Sequence, residues 1–317
     1  MVSKPIPWYL SQNNLDVVSK FQYIQHQEDL RLRDATLNPE GSKWSLGVSV
    51  KHTNRERNRY VNIMPYERNR VKLKLKSGND YVNASYVKVQ VPRQSLRAGH
   101  YIATQGPTDR SASQFWQMCY QQCPGENMVI VMVTPLVEHH RRKCAEYWPR
   151  EPGSCVTVAQ EQCGDSKFET GLEVRNINVE HRAAYTLSTL QIVPSDVRFP
   201  QKTVHHFYFE RWRDMSKPDE VLPILELSRH SHRLNSPNNP MIVHCSAGVG
   251  RSGTFITLDH LFHDTHDFAT PQPGQDYQHD LIEQIVLQLR SQRLKMVQTV
   301  DQYLFIYHAA QHVFDLS

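Results

Sequence analysis

A cysteine and an arginine six residues apart, Cys245 and Arg251, are joined by a glycine-bearing stretch, His244-Cys-Ser-Ala-Gly-Val-Gly-Arg-Ser-Gly253. Gly248 and Gly250 allow the backbone to turn tightly, so that successive N–H groups point into one concavity, an anion-binding nest backed by a helix N-terminus. Arg251 would close the ring with a planar fork of donors matched to a tetrahedral oxyanion. Cys245 sits at the floor. Amide dipoles, a cation and a helix end around a thiol favour loss of its proton, and the thiolate is a strong nucleophile. Such a loop is built to hold a phosphate against a sulfur. The Cys–Arg pair alone would be cheap in a chain with six cysteines and 36 lysines and arginines. The whole string carries the reading, because every position in it has a mechanical use.

The flanks supply the elements that must hold this loop. Met241–Val243 reads as the end of a buried strand. Ser252 and Thr254-Phe-Ile-Thr-Leu258 read as a helix start with a hydroxyl in the capping region. Further strands are expected at Met128–Val133, Cys155–Val158, Leu172–Val179, Tyr185–Val193 and Thr203–Phe209, from β-branching and alternation. The first of these is a continuous apolar run, as in strands buried on both faces. Leu15–Ile24 places Val17, Phe21 and Ile24 at helical spacing, and Leu281, Ile282, Ile285, Val286 and Leu289 mark an amphipathic helix. Leu258–Phe268 should continue the helix after the loop, and Ala269–Gln275, rich in Pro and Gly, should be a surface loop.

With 317 residues the chain can bury a sizeable core as one large α/β domain or two small ones. A hydrophobic content of 39% and a charged content of 21% are those of an ordinary globular protein. The net charge of +4 suits an anionic substrate but is too small and dispersed to argue for nucleic acid. The N-terminus has no long apolar segment, and the longest apolar run is far too short to cross a bilayer, so no membrane association is expected. No CxxC spacing suggests zinc or a disulfide framework; Cys119 and Cys123, four apart on an expected helix, read as core cysteines. His139-His140 and His205-His206 are adjacent pairs in expected hairpin or strand, where side chains point apart, so neither is read as a metal site. A reduced, intracellular compartment follows.

The loop resembles the signature loop of the tyrosine-specific protein phosphatases, and other segments extend the resemblance over most of the chain. Arg57-Asn-Arg-Tyr-Val-Asn-Ile-Met-Pro-Tyr66 is similar to the family's substrate-recognition loop. The resemblance implies that Tyr60 walls a deep pocket against the substrate's phenyl ring, too deep for phosphoserine to reach the cysteine. Asn62 stands where some members have an aspartate that grips the substrate backbone; Asn accepts a hydrogen bond without the charge-assisted strength. Tyr101-Ile-Ala-Thr-Gln-Gly-Pro107 and Phe115-Trp-Gln-Met118 follow the family as scaffold. Glu138 matches a glutamate that salt-bridges the loop arginine, and Lys143, in Lys143-Cys-Ala-Glu-Tyr-Trp-Pro149, a lysine that contacts the general-acid loop. Trp212-Arg213-Asp214 matches a mobile Trp-Pro-Asp flap whose aspartate is the general acid; arginine in place of proline leaves the open flap more conformations to lose on closing. In Val297-Gln-Thr-Val-Asp-Gln-Tyr303, Gln298 and Gln302 match water-positioning glutamines. Lys295 stands where relatives with an open second phosphotyrosine pocket carry glycine, and is expected to narrow it.

The resemblance therefore implies a tyrosine-phosphatase-like α/β (α+β) fold, a single domain with a large twisted mixed β-sheet flanked by helices. Residues 1–50 would form an N-terminal helical extension packed on it, and 51–317 the catalytic domain. It implies hydrolysis of phosphotyrosine in proteins through a phosphocysteine. Cys245 would be the nucleophile and Asp214 the acid and then the base. Arg251 and the loop amides of Ser246, Ala247, Gly248, Val249 and Gly250 would hold the phosphoryl oxygens. His244 would support the thiolate, Ser252 would hydrogen-bond to the sulfur, and Gln298 and Gln302 would hold the water. No metal or organic cofactor is needed. The expected partners are phosphotyrosine-containing proteins, and the chain is expected to be a monomer in the cytoplasm, with the nucleus as a second compartment. Two alternatives stay open: a phosphotyrosine-binding pseudophosphatase, supported by Arg213 and Asn62, and a dual-specificity phosphatase using the same loop.

Overall fold

A computed structural model describes residues 6–162, 166–212, 221–269 and 279–316. Its frame is a nine-stranded mixed sheet. In chain order the strands are β1 (Arg70–Lys72), β2 (Tyr81–Val89), β3 (Gly99–Thr104), β4 (Asn127–Met132), β5 (Cys155–Val158), β6 (Leu172–His181), β7 (Thr186–Pro194), β8 (Lys202–Tyr208) and β9 (Met241–His244). In space they run β1-β2-β3-β9-β4-β8-β7-β6-β5. The four central strands, β3, β9, β4 and β8, are mutually parallel, and the outer pairings are antiparallel. The last of these nine strands in chain order thus enters the middle of the sheet, with Val243 opposite Ala103 on one side and Val131 on the other.

β4 shows why the centre must be covered on both faces. Its side chains alternate, Val129 and Val131 into one core, Met128, Ile130 and Met132 into the other. All five are fully buried. Helix α2 (Ala112–Gln122) covers the second face through Phe115, Trp116 and Cys119, and Cys123 just beyond it packs in the same core. The first face is covered by α1 (Asn14–Leu37), α3 (Val221–Leu234), α4 (Gly250–Asp264), the short α5 (His266–Ala269), α6 (Leu281–Gln292) and α7 (Val300–Asp315). Each fully buried aliphatic side chain stabilises this arrangement by about 1.5–3 kcal/mol.

α1 is capped by Asn13, whose side chain accepts the N–H of Asp16 at 3.0 Å. Val17, Phe21 and Ile24 are buried in the core with α6 and α7, and the stripe continues into Glu28, which is buried too. Lys20 pairs with Asp280 at 2.6 Å, and Tyr307 donates to the same carboxylate at 2.7 Å. All five apolar positions of α6 anticipated from spacing are buried. Two boundaries differ from the sequence expectation. The helix after the phosphate-type loop starts at Gly250 rather than near Thr254, and it stops at Asp264, because Thr265 turns extended to bridge Ser95. Beyond Ala269, the expected Pro/Gly loop lies outside the described residues. No described helix is long and apolar enough to cross a membrane.

Candidate active site

β9 delivers His244 to the carboxyl edge of the parallel strands, and residues 245–249 turn there into α4. The turn depends on Gly248. Its φ is +74°, and a Cβ would sit 2.0 Å from the carbonyl oxygen of Thr104. The loop's carbonyls are anchored from behind. Gly106 N–H donates to Ser246 O (2.9 Å), and Arg293 donates to Ala247 O (3.1 Å) and Gly248 O (3.0 Å). A trans peptide sets its C=O and N–H in opposite directions. Pinning these three carbonyls outward therefore aims the N–H groups of Ala247, Gly248 and Val249 inward. Gly248 N–H lies 3.2 Å from Cys245 Sγ.

No side chain caps α4; Val249 occupies the N-cap position. A hydroxyl cap there would have taken the amides an anion needs, so the first turn is left to the ligand. Thr254 bonds instead to Gly250 O at 2.9 Å. Ser252 Oγ is buried and has no hydrogen-bond partner among the described residues, the Cys245 Sγ implied by the family likeness included.

The loop floors a cavity of ≈ 360 Å³ lined by Tyr60, Asn62, Ile63, Glu138, Lys143, Cys245, Ser246, Ala247, Gly250, Arg251, Gln298 and Gln302. It therefore gathers residues from four stretches of chain. Ser246 Oγ–H donates to the carbonyl of Lys143 at 2.8 Å, which leaves Tyr60 as donor in its 2.7 Å bond to Ser246 Oγ. Arg59 steadies the Tyr60 wall by donating to Gly106 O at 2.8 Å. Across the cavity, Arg251 donates to Glu138 Oε1 at 2.5 Å and to Thr134 Oγ1 at 3.2 Å, so its fork is fixed in direction. Lys143 Nζ lies 3.7 Å from the other oxygen of Glu138. Burial alone would raise the pKa of Glu138, but the hydrogen bond and charge of Arg251, with Lys143 and His139, hold it below the usual carboxylate range. Glu138 is placed by a two-residue hairpin between Val137–Glu138 and Arg141–Arg142, whose turn residues His139 and His140 have φ of +49° and +60°. These histidines serve the turn.

The other glutamine pair divides its work. Gln302 Oε1 accepts the N–H groups of Gln298 (2.8 Å) and Thr299 (3.3 Å), completing a capping box at the start of α7. Gln298 makes no side-chain hydrogen bond among the described residues, and its amide faces the cavity. Trp212 is buried against Phe209 and Phe305. Arg213 and Asp214 lie outside the described residues.

Three residues behind the loop went unread in the sequence. Arg293, fully buried, also donates to Asn83 and Ser85, and burial pushes its pKa down to about 10. The others form a relay. His244 Nδ1 faces the carbonyl of Cys245 at 3.0 Å, and a carbonyl only accepts, so Nδ1 carries the proton. Nε2 must then accept from Tyr147 Oη at 2.7 Å, and Tyr147 in turn accepts from His206 Nε2 at 2.7 Å. Burial pushes the pKa of His244 down to about 4 and that of His206 well below its ordinary value, so both are neutral. Tyr147 lies within the stretch that follows the family, but nothing local distinguishes a relay tyrosine from a core one.

Comparison with known proteins agrees with this geometry. Residues 54–312 match the family model described as protein-tyrosine phosphatase. Tyrosine-protein phosphatase 1 of Saccharomyces cerevisiae is 57% identical over 98% of this chain and 98% of its own length. Tyrosine-protein phosphatase 1 of Schizosaccharomyces pombe is 34% identical over 91% of this chain, which spans 49% of that protein. The rat non-receptor type 2 tyrosine-protein phosphatase is 34% identical over 81% of this chain and 55% of its own. A family match across most of the chain, with a full-length relative at this identity, settles membership: the chain belongs to the protein-tyrosine phosphatase family and is a protein-tyrosine phosphatase.

Proposed function

We propose that this phosphatase hydrolyses phosphotyrosine in proteins by two in-line displacements. Cys245 thiolate attacks phosphorus, an S–P bond forms and the P–O bond to the tyrosyl oxygen breaks, while Asp214 gives its proton to the leaving phenolate. Arg251 and the inward N–H groups hold the equatorial oxygens. In the second step Asp214, now ionised, takes a proton from a water held by Gln298; the O–P bond forms, the S–P bond breaks and phosphate leaves. The role of Asp214 rests on the family likeness of Trp212-Arg213-Asp214.

The observation that carries the proposal is the placement of Cys245 Sγ and the Glu138-braced fork of Arg251 at one cavity floor. Tyr60 hydrogen-bonded to the loop gives the pocket a deep wall, which favours phosphotyrosine over the shorter phosphoserine. Asn62 at the exposed rim would take one backbone bond from the substrate peptide. A monomer acting in signal transduction in the cytoplasm fits a thiolate nucleophile, which needs a reducing compartment. Residues 1–50 are proposed as an N-terminal helical extension packed on the catalytic domain of 51–317.

The test is phosphate release from a phosphotyrosine peptide across pH for wild type, Cys245→Ser and Asp214→Ala. A bell-shaped profile is expected, abolished by the first change and stripped of its basic limb by the second. Tight peptide binding without turnover in the wild type would mark a binding module instead, and equal rates on phosphoserine peptides a dual-specificity enzyme.

A further inference from the structure

Immediately before Gln298, the backbone takes an unusual path. Lys295 and Val297 have φ of +57° and +58°. Left-handed backbone at a non-glycine residue, and above all at a β-branched valine, costs on the order of 1–3 kcal/mol and persists only where the surroundings impose it. The surroundings here are a buried pair from two helices. Arg290, at the end of α6, donates to Met296 O at 2.6 Å and to Val297 O at 2.7 Å. Its remaining nitrogen lies 3.1 Å from Glu28 Oε1, and Glu28 Oε2 accepts the N–H of Lys295 at 2.9 Å. Arg290 is 0% and Glu28 3% exposed. On the other side Val297 N–H donates to Val249 O at 3.1 Å, joining the segment to the nucleophile loop.

We infer that Glu28, in the N-terminal helix, is a positioning residue for the second displacement, holding the strained 295–297 segment so that the Gln298 amide is set where the attacking water must be held. This rests on the two-step reading with Gln298 as the water-holding group. Without Glu28, Arg290 is a buried charge that has lost its carboxylate, and the Lys295 N–H has no acceptor. The strained segment then relaxes and Gln298 moves with it. Cys245 and Arg251 do not bond to Glu28, so formation of the phosphocysteine should be spared.

The two steps separate kinetically. The ratio kcat/KM reports steps up to the first irreversible bond cleavage, whereas kcat also contains hydrolysis of the phosphoenzyme. Rapid mixing with p-nitrophenyl phosphate should be followed for wild type, Glu28→Ala, Glu28→Gln, Gln298→Ala and Lys20→Met. Glu28→Ala and Gln298→Ala are both expected to release about one equivalent of p-nitrophenolate in a burst. Their kcat should then fall about ten- to a hundredfold, with kcat/KM near wild type. Glu28→Gln, which keeps the shape and one of the two acceptor oxygens, should lie between and serves if the alanine variant does not fold. Lys20→Met, which loosens α1 at Asp280 without touching 295–298, should behave as wild type. A burst in Gln298→Ala with none in either Glu28 variant overturns the inference alone. Parallel loss of kcat and kcat/KM in the Glu28 variants, or a burst in Lys20→Met larger than that of wild type, also overturns it, since either marks a general effect of α1. No burst and no phosphoenzyme in Gln298→Ala overturns the two-step reading itself.

Discussion

Tyr147 Oη stands 2.7 Å from Nε2 of His244, the residue immediately before the proposed nucleophile. With the Nδ1 proton committed to the Cys245 carbonyl, this bond fixes both the tautomer and the ring plane of the histidine. Tyr147→Phe keeps the ring but leaves His244 Nε2 and the His206 Nε2–H without partners in a dry core. The expected loss is about 1–3 kcal/mol of stability, from leaving buried polar atoms unsatisfied. Urea unfolding at neutral pH checks it, read as a lower midpoint at unchanged slope.

The same relay sets a pH dependence. A histidine whose folded pKa lies below its unfolded value binds protons more readily in the unfolded chain. Stability from keeping it neutral is therefore fully present above the ordinary value of 6.5 and is lost as pH falls toward the folded value, about 4 for His244. His206 acts in the same direction, while His232, whose pKa is raised because its bond to Asp259 outweighs burial, acts in the opposite one. Since His244 alone contributes on the order of 3 kcal/mol over that window, wild type should weaken from pH 6.5 to 4. His244→Gln should flatten that limb in thermal unfolding.

Glu138 and Arg251 are each about one-fifth exposed as side chains, so their pairing contributes little to stability. Its effect is on aim. Glu138→Ala should leave thermal stability within about 1 kcal/mol of wild type. It should lower kcat/KM by about ten- to a hundredfold, because the fork is no longer fixed on the phosphoryl oxygens. A loss of stability with unchanged turnover would contradict this.

Arg293→Lys keeps a cation but not the fork that reaches both Ala247 O and Gly248 O. The loop carbonyls are then free to rotate, and the amides behind them turn out of the cavity. Inorganic phosphate or vanadate should bind at least about tenfold more weakly, a difference of roughly 1.4 kcal/mol. Competitive inhibition measures it directly.

What could be read from sequence was what is local in sequence. Between His244 and Gly253 every group proposed to meet the phosphate lies within one turn and one helix start, so composition and spacing sufficed. α6 and three of the four central strands, β9, β4 and β8, were legible for the same reason, as short apolar or periodic runs, whereas β3 was not anticipated. Ser252, expected at the sulfur, makes no bond there, since spacing cannot tell which way a first-turn hydroxyl rotates. The unread residues act across long separations: Tyr147 meets His206 59 positions on and His244 97 positions on, and Glu28 meets Arg290 262 positions on. One clue was present. Glu28 continues the stripe Val17-Phe21-Ile24 by one further turn, and a carboxylate on a buried face requires a cation. Arg213 and Asp214 lie outside the described residues, so their part stands on the family likeness.

The strand order carries a consequence for synthesis. β9, the last of the nine described strands of this sheet in chain order, must slot between β3 and β4, which were completed more than a hundred residues earlier. Parallel pairings at such separation are slow to form, because the intervening loop must close before any contact rewards it. A nascent chain short of about residue 244 therefore holds a split sheet with two exposed apolar edges, a species that invites chaperone attention. It also holds no phosphate nest. The proposed nucleophile is thus withheld until at least 245 residues have been made, and a product terminated before it should be catalytically silent.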